Sequence, residues 1–319
     1  MNWGAKQTDY FSSNFFDGME LVYPDRWKKL IGEKNSAALI KRNPCFDRVP
    51  IIISGGAGSG PLFPGYVGEG LADAVVTGGP FSAPNAYCLY EAGRYLGKEK
   101  GVFFLYNNFA GDFLNNDMAQ ELLAMDGIAS QSLAATDDIA SAMGEDRSKR
   151  SGRCGVALLI KIAARCAALG MTLDEIAQTV SKANQRLGTL SVMVDFDKHE
   201  IIYGNGFSGE PGIRTETHMD LNQTAADAME MLVKDLKPQP DEELVLLVNR
   251  LRYTCYSDGF LMAKAAHAYL SRGYPNIRLR VANYSNIMDI YGFNFSILCA
   301  DRQLTPYLEG MVSSDSFLL

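Results

Sequence analysis

VPIIISGGAGSGPLFPGYVG, residues 49–68, is the stretch that decides the fold of this chain. It contains a short β-branched run, Ile51 to Ile53, which is typical of a buried strand. The run leads into a loop with glycines at positions 55, 56, 58 and 60. Such glycines let the backbone approach a ligand and point successive N–H groups at it. Because open α/β sheets hold small molecules where a strand ends, the stretch predicts a ligand site here, although a flexible surface turn has the same composition.

The composition restricts both the fold and the function. The chain has 319 residues and a mass of 35.0 kDa, which is enough for two domains of ordinary size. Its 30 basic and 37 acidic residues give a net charge of −7, which argues against nucleic acid as the main partner. No apolar run approaches the roughly 20 residues of a membrane span, and the N-terminus has no apolar segment typical of a secretory signal. We therefore expect a cytoplasmic protein.

The cysteines form no metal-binding pattern. Six of them stand at positions 45, 88, 154, 166, 255 and 299, without a CxxC pair, and several lie in apolar runs. In a chain of this size, such residues are expected to be buried thiols rather than disulfides or zinc ligands. No metal site is predicted.

Strands and helices alternate through the first part of the chain. After the glycine loop, the apolar spacing predicts helical segments at 69–76 and 84–96 and a buried strand at 101–106. A helix at 113–125, a strand at 128–134 and helices at 155–169 and 172–187 follow, with Thr172 and Glu175 forming a capping box. This alternation predicts a parallel or mixed sheet with helices packed on it.

The pattern changes near Gly188, where a second domain is predicted to begin. Strands are predicted at 190–196, 200–207, 244–248, 277–283 and 293–299, and helices at about 222–235 and 256–271. The sequence therefore predicts two α/β domains, residues 1–188 and residues 189–319. Each is expected to contain a mixed or largely parallel sheet packed with helices.

Five segments resemble, in the same order, the landmarks of one known family. They are SGGAGSGP…GYVGEG at 54–70, FSAP at 81–84, NFAGDFLN at 108–115, GFSGEPG at 206–212 and ANY…DIYGF at 282–293. From about Ile40 to the C-terminus, the chain is similar to the substrate-binding subunit of the dihydroxyacetone (glycerone) kinases. The resemblance implies the α/β fold of that subunit, a homodimer and a role in glycerol metabolism.

The resemblance also implies a reaction. Members of the family bind dihydroxyacetone or a related short-chain ketose, and one of their histidines adds to the carbonyl of the substrate. The aspartate that corresponds to Asp112 is the general base on the terminal hydroxyl. A separate helical nucleotide-binding domain or subunit supplies the phosphoryl group, either from Mg-ATP or through a phosphorylated relay. We therefore expect no cofactor on this chain, a kinase partner, and no activity of the chain alone.

The substrate contacts that the resemblance implies lie in three segments, apart from the candidate catalytic residue Asp112. The glycine loop, FSAP and GFSGEPG together contribute Gly55, Gly56, Gly58, Ser59, Gly60, Ser82, Ser208, Gly209 and Glu210.

The sequence departs from the family at residues that carry the chemistry. Ser208 stands where the family has the histidine that adds to the carbonyl, and a hydroxyl cannot replace a neutral imidazole as nucleophile. Ser59 or Gly60 replaces a second family histidine, and Asn107 stands in place of a lysine. We therefore expect this chain to hold its ligand non-covalently.

The histidines and two arginines allow two interpretations each. His218, ten positions after Ser208, is either a replacement nucleophile or an exposed loop residue. Arg250 and Arg252 stand where the family has a glycine-rich turn, and they either bind an anionic ligand or face solvent or a dimer partner. His267 is predicted to lie in the core or an interface.

The candidate base also allows two interpretations. Asp112 follows a predicted buried strand and precedes a predicted helix. It either accepts a hydroxyl proton, with the helix dipole favouring its charged form, or serves only as the helix N-cap.

Two functions follow from these observations. In the first, the chain holds a short ketose, polyol or related small molecule for phosphorylation by a partner nucleotide-binding subunit. In the second, it is a non-catalytic paralogue that acts as a small-molecule sensor or transcriptional co-regulator, which the loss of both histidines favours. Another chemistry on the same scaffold remains a third alternative, because a fold does not determine a function.

Overall fold

The computed structural model describes residues 9–144, 146–206, 210–286 and 290–312. Two six-stranded sheets and seven α-helices make up these ranges, so the predicted α/β class is confirmed. None of the described helices is long and apolar enough to cross a membrane. All six cysteines are free, as expected, but Cys45 and Cys255 are exposed rather than buried.

The first sheet is mixed and has the order β1-β2-β4-β3-β5-β6. Its strands are β1 (Trp27–Glu33), β2 (Ser36–Lys41), β3 (Ile51–Gly56), β4 (Ala74–Gly78), β5 (Val102–Asn107) and β6 (Ser130–Ala135). Strands β4, β3, β5 and β6 are parallel, whereas β1 and β2 are joined antiparallel at one edge. The chain goes from β3 to β4 on one side and then crosses to β5 on the other, so the loops after β3 and β5 border a topological switch point.

Five helices accompany this sheet. They are α1 (Phe11–Val22), α2 (Ala86–Gly97), α3 (Ala110–Met125), α4 (Val156–Ala168) and α5 (Leu173–Gln185). The predicted capping box at the start of α5 is confirmed. The hydroxyl of Thr172 accepts from the backbone N–H of Glu175, and the Glu175 carboxylate accepts from the backbone N–H of Thr172 at 2.8 Å.

One predicted element is wrong. Residues 69–76 carry helical spacing, but β4 occupies Ala74–Gly78 in the interior of the first sheet. Every residue of β4 is buried. A strand that is covered on both faces has a continuous apolar sequence. It therefore lacks the alternation of apolar and polar residues by which a half-exposed strand is recognised.

The second sheet is mostly antiparallel and has the order β11-β10-β12-β7-β8-β9. Its strands are β7 (Leu187–Asp195), β8 (Glu200–Tyr203), β9 (Arg214–Glu216), β10 (Glu243–Arg250), β11 (Ile277–Ala282) and β12 (Gly292–Ala300), and its helices are α6 (Leu221–Leu236) and α7 (Tyr256–Leu270). Among the described strands of this sheet, only β10 and β11 pair in parallel. His199 lies in the turn between β7 and β8, at a φ of 55°. The division into domains at residue 188 stays a prediction.

Helix α4 belongs to a core that joins the two sheets. The helix is buried along almost its whole length. Its core cluster also contains Ile53 and Phe103 of the first sheet and Val245 and Leu298 of the second. A helix that is apolar on all sides is stable only where protein surrounds it, so α4 ties the two sheets into one core.

A buried polar cluster also connects the two sheets. Asp137 accepts hydrogen bonds from the backbone N–H groups of Arg153 (2.7 Å) and Gly155 (3.0 Å) and from the Thr189 hydroxyl (2.5 Å). Arg153, which is fully buried, donates from Nε to Asp138 at 2.7 Å. Because Thr189 belongs to β7, the cluster holds the loop after β6 against the second sheet.

Candidate functional site

A cavity of about 280 Å³ lies at the carboxyl ends of β3 and β5, at the switch point of the first sheet. Small-molecule sites of α/β proteins occur at this position. Its walls come from the glycine loop, the loop after β4, the start of α3 and one residue after β11. The lining residues are Gly55, Gly56, Gly58, Ser59, Phe63, Pro80, Phe81, Ser82, Ala83, Asn107, Phe109, Gly111, Asp112 and Asn286.

The glycine loop packs tightly against its own neighbours. A Cβ on Gly55 would lie 2.1 Å from the Phe63 ring, and one on Gly58 would lie 2.3 Å from the Pro80 carbonyl oxygen. The N–H groups of Ala57 and Gly58 donate to the carbonyls of Gly79 (3.1 Å) and Pro80 (3.0 Å). These two N–H groups therefore hold the loop to the segment after β4, which corrects the expectation that they point at a ligand.

We expect Gly58→Ala to destabilise the protein by about 1–3 kcal/mol, because its new methyl group would overlap the Pro80 carbonyl. Gly60→Ala is the matched control, since nothing lies within 4 Å of a Cβ at that position and its φ is −46°. Urea unfolding of both variants measures the difference. Equal stability of the two variants would show that the glycine at 58 is not required by packing.

Asp112 lies in the first turn of α3, at its third residue. Phe109 occupies the N-cap position, so the interpretation of Asp112 as the N-cap is wrong. The residue is 7% exposed, and its Oδ1 accepts no hydrogen bond from the described residues. Burial raises the pKa of Asp112 to about 7, against the opposing effect of a hydrogen bond from its own backbone amide. The expectation that the helix dipole keeps the carboxyl in its charged form is corrected, because the cost of desolvation is larger.

The raised pKa of Asp112 predicts a loss of stability with rising pH. Above the unfolded pKa of 3.8 the unfolded state releases its proton, whereas the folded state keeps it up to about pH 7. Between these values the folded state binds more protons, so the free energy of unfolding falls by up to about 4 kcal/mol. Asp112→Asn should remove this dependence and be more stable than the parent at about pH 8. Urea unfolding across this range measures it, and parallel curves would contradict the assignment.

Asn116 fixes the start of α3 beside the end of β3. Its Nδ2 donates to the Ser54 hydroxyl at 3.1 Å and to the backbone carbonyl of Asp112 at 2.8 Å. Asn116 is fully buried, so these bonds are shielded from water. The backbone that carries Asp112 is therefore attached directly to the strand that carries the glycine loop.

Asn286 attaches the glycine loop to the second sheet. Its backbone N–H donates to the Ser59 carbonyl at 3.0 Å, and its Nδ2 donates to the Gly60 carbonyl at 2.6 Å. Asn283 donates to the side chain of Asn286 at 2.8 Å and to the carbonyl of Arg250 at 2.6 Å. The cavity wall is thus built by residues from both sheets.

Six of the predicted site residues line the same cavity: Gly55, Gly56, Gly58, Ser59, Ser82 and Asp112. Gly60 is outside it and contributes only the carbonyl that Asn286 holds. Ser208 and Gly209 lie outside the described residues.

Glu210 lines a second cavity of about 250 Å³. Phe109 is part of the walls of both cavities, so the second one adjoins the first. Asn205 precedes this segment, and its carbonyl accepts hydrogen bonds from Ser191 (2.7 Å) and from Arg153. The segment that leads to GFSGEPG is therefore anchored on the buried polar cluster.

The remaining candidates lie away from the first cavity. His218 is 3.5 Å from Asp227 and accepts from the backbone of Asp220, and it is not among the cavity-lining residues. Arg250 lies over the Tyr256 ring at 5.2 Å, and Arg252 is exposed. A role for these residues in binding a ligand stays a prediction without support from their positions.

His267 is exposed on α7, so its predicted place in the core is wrong, whereas the alternative place in an interface stays a prediction. The helix α7 buries other residues, among them Met262, Ala263 and Ala266. The apolar neighbours of His267 in the sequence suggested burial, but its position on the helix faces solvent.

Sequence analysis missed several residues of the cavity wall. Phe63 and Pro80 line it although no functional pattern distinguishes them. Phe81 and Phe109 lie within the FSAP and NFAGDFLN segments, and membership of these segments is the sequence feature that could have assigned them to the site. Asn286 follows ANY, and only the fold shows that this segment reaches the glycine loop.

The fold and the cavity define an α/β protein with a cavity of small-molecule size at the switch point of a mixed sheet. Residues 17–315 match the Dak1 domain, and the chain belongs to this family. The chain is 32% identical, over 82% of its length and 83% of the relative's, to the "PTS-dependent dihydroxyacetone kinase 2, dihydroxyacetone-binding subunit DhaK" of Listeria innocua serovar 6a. The resemblance drawn from the five segments is confirmed.

Two solved structures have the same fold. One is described as "Regulation of the dha operon of Lactococcus lactis"; it is 27% identical, with a TM-score of 0.86 over 95% of this chain and 94% of that one. The other is described as "Dihydroxyacetone kinase operon co-activator Dha-DhaQ"; it is 26% identical, with a TM-score of 0.85 over 95% of this chain and 97% of that one. The chain is therefore similar both to a substrate-binding kinase subunit and to a co-activator.

Proposed function

We propose that this chain is the substrate-binding subunit of a dihydroxyacetone-type kinase. It holds a short ketose or polyol non-covalently while a partner nucleotide-binding subunit transfers the phosphoryl group. The observation that carries the proposal is Asp112, a buried carboxyl group in the wall of a small cavity with a pKa of about 7. A general base is most effective when its pKa is close to the working pH.

Asp112 acts on a hydroxyl group of the bound ligand. As the hydroxyl oxygen forms its bond to the transferred phosphorus, the carboxylate accepts the hydroxyl proton, and the bond from phosphorus to the donor breaks. The described wall contains no lysine, arginine or histidine. The cations that stabilise the transferred phosphoryl group therefore belong to the partner, with Mg-ATP or with a phosphorylated relay.

The partner contacts the apolar surface beside the cavity. Phe81 lines the cavity and is 74% exposed, and Phe113 and Leu114 are exposed on the first turns of α3, directly after Asp112. Exposed apolar side chains that cluster around a site are typical of a protein interface. A partner bound here would have its phosphoryl donor next to Asp112. The homodimer and the cytoplasmic location are parts of this proposal, and the free cysteines are consistent with the latter.

We expect dihydroxyacetone, erythrulose or glycerol to raise the melting temperature of the protein, because a ligand that binds only the folded state stabilises it by mass action. Intact-protein mass should show no adduct, since the described wall offers no nitrogen nucleophile. Thermal melting and mass spectrometry on the same samples measure both. A stable adduct would contradict non-covalent binding, and no shift with any of these compounds would contradict the proposed ligand class.

A second candidate function is that of a co-regulator. The observation that favours it is the similarity to the operon co-activator, together with the serine at position 208. Under this alternative the ligand binds, but no phosphorylated product forms when a kinase partner and its phosphoryl donor are added. Melting shifts without turnover would therefore support the regulator over the kinase subunit.

A further inference from the structure

Asn116 is a polar residue in the buried stripe of α3. The stripe also contains Asp112, Ala119 and Leu123, and Asn116 lies one turn after Asp112. The side chain of Asn116 is fully buried. A buried amide costs free energy unless hydrogen bonds replace its contacts with water. Its place beside Ala119 and Leu123 is therefore explained by its hydrogen bonds rather than by apolar packing.

The amide nitrogen of Asn116 joins two elements of the cavity wall. Nδ2 donates to the backbone carbonyl of Asp112 at 2.8 Å and to the Ser54 hydroxyl at 3.1 Å. Ser54 is fully buried in β3 and directly precedes Gly55, which lines the cavity. Because these two bonds use both hydrogens of the amide nitrogen, they give the side chain one orientation. Asn116 therefore fixes the backbone of Asp112 relative to the strand that leads into the glycine loop.

The first turn of α3 needs such a restraint. Phe109 occupies the N-cap position and offers no side-chain acceptor to the backbone N–H groups of this turn. Polar N-cap residues stabilise a helix start by about 1 kcal/mol, and this contribution is lacking here. Gly111 in the same turn gives the backbone additional freedom. The tether from Asn116 thus holds a turn that its own residues fix only weakly.

Gln120 allows an internal comparison, because it carries the same amide group one turn further along α3. Its Nε2 donates to the backbone carbonyl of Asn116 at 3.3 Å and to the Ser132 hydroxyl of β6 at 3.1 Å. Gln120 therefore ties α3 to the first sheet as Asn116 does, but it does not hold Asp112 and is not among the cavity-lining residues. A purely structural role would make the two amides equivalent, whereas a role in the reaction would distinguish them.

We propose that Asn116 is a positioning residue for the reaction: it holds Asp112 at the place in the cavity wall from which the carboxylate accepts the proton of the bound hydroxyl. The inference rests on the proposed function in giving Asp112 the role of general base. A general base must come within about 2.6–3.2 Å of the atom that gives up the proton. A displacement of about 1 Å can lower the rate by about 100-fold. Asn116 does not line the cavity, so its loss should slow the reaction more than it weakens ligand binding.

The experiment replaces Asn116 by leucine, which has a similar size and removes both hydrogen bonds. We expect Asn116→Leu to lower kcat at least about tenfold while the dissociation constant of dihydroxyacetone, measured by calorimetry, changes by less than about twofold. Asn116→Thr should lower kcat less, because a hydroxyl in a helix can donate to the carbonyl four residues earlier. Turnover is measured with the nucleotide-binding partner and its phosphoryl donor, on variants shown by thermal melting to be folded.

Gln120→Met is the matched control, since it removes a partly buried amide from the same helix without touching Asp112. Its kcat should equal that of the parent. If Asn116→Leu does not fold, Asn116→Thr carries the test through its smaller loss of kcat at unchanged affinity. Parent turnover in the folded Asn116 variants, or equal losses in Asn116→Leu and Gln120→Met, would overturn the inference while an inactive Asp112→Asn keeps the proposed function. Full turnover of Asp112→Asn would overturn both.

Discussion

Asp112→Asn is expected to lower the rate of phosphoryl transfer to dihydroxyacetone by at least about 100-fold, because positioned general bases typically contribute factors of 100 to 10,000. Asparagine has nearly the same shape as aspartate but cannot accept the hydroxyl proton. The residue is buried in the cavity wall, so water cannot easily take over its role. The measurement is turnover with the nucleotide-binding partner and its phosphoryl donor present, alongside calorimetric binding of the ketose.

Asp117→Asn provides the control for this prediction. Asp117 is exposed on the same helix, so its replacement changes the charge of α3 without touching the cavity. Turnover of this variant should equal that of the parent. If Asp112→Asn also retained full turnover while binding its ligand, Asp112 would not be the general base.

The second large effect is on stability. We expect Asp137→Ala to destabilise the protein by about 3–5 kcal/mol, because it removes one acceptor group from three buried donors at once. The backbone N–H groups of Arg153 and Gly155 would lose this acceptor, and the Thr189 hydroxyl would keep only its contact with the Ser296 hydroxyl at 2.8 Å. The site is closed to water, since Asp137 and Thr189 are both fully buried. The midpoint of chemical unfolding measures the loss.

Asp197→Ala is a matched control for Asp137→Ala. Asp197 is an exposed residue of the turn between β7 and β8, where a substitution usually changes stability by no more than about 0.5 kcal/mol. Similar unfolding midpoints for the two variants would show that the buried polar cluster does not hold the two sheets together.

The sequence was sufficient for features that depend on neighbouring residues. The run Ile51 to Ile53 identified β3, and the capping box at Thr172 identified the start of α5, because both signals are local. Asp112 was also recognised from its segment, and the structure places it in the cavity. Local pattern therefore predicted the strand and the loop, and the family resemblance of the NFAGDFLN segment supplied the candidate base.

Features that depend on tertiary packing were not predictable in this way. Strand β4 was assigned as helical because its burial on both faces depends on elements distant in the chain. Asn286 reaches Gly60 across 226 positions, and no spacing rule connects them. The position of Asp112 before a helix suggested that the helix dipole favours its charged form, but the burial that raises its pKa is a property of the folded cavity. In each case the sequence does not show which distant residues pack around the strand or side chain in the folded protein.

The hydrogen bonds of Asn286 couple the shape of the ligand cavity to the contact between the two sheets. Its two bonds to Ser59 and Gly60, and the bond from the Tyr66 hydroxyl to the Tyr284 carbonyl at 2.9 Å, cross from one sheet to the other next to the cavity. A ligand that orders the glycine loop must then also favour the docked arrangement of the second sheet. Such coupling is reciprocal. If the ligand changes the affinity of a partner protein for the second sheet, binding of that partner changes the ligand affinity by the same factor.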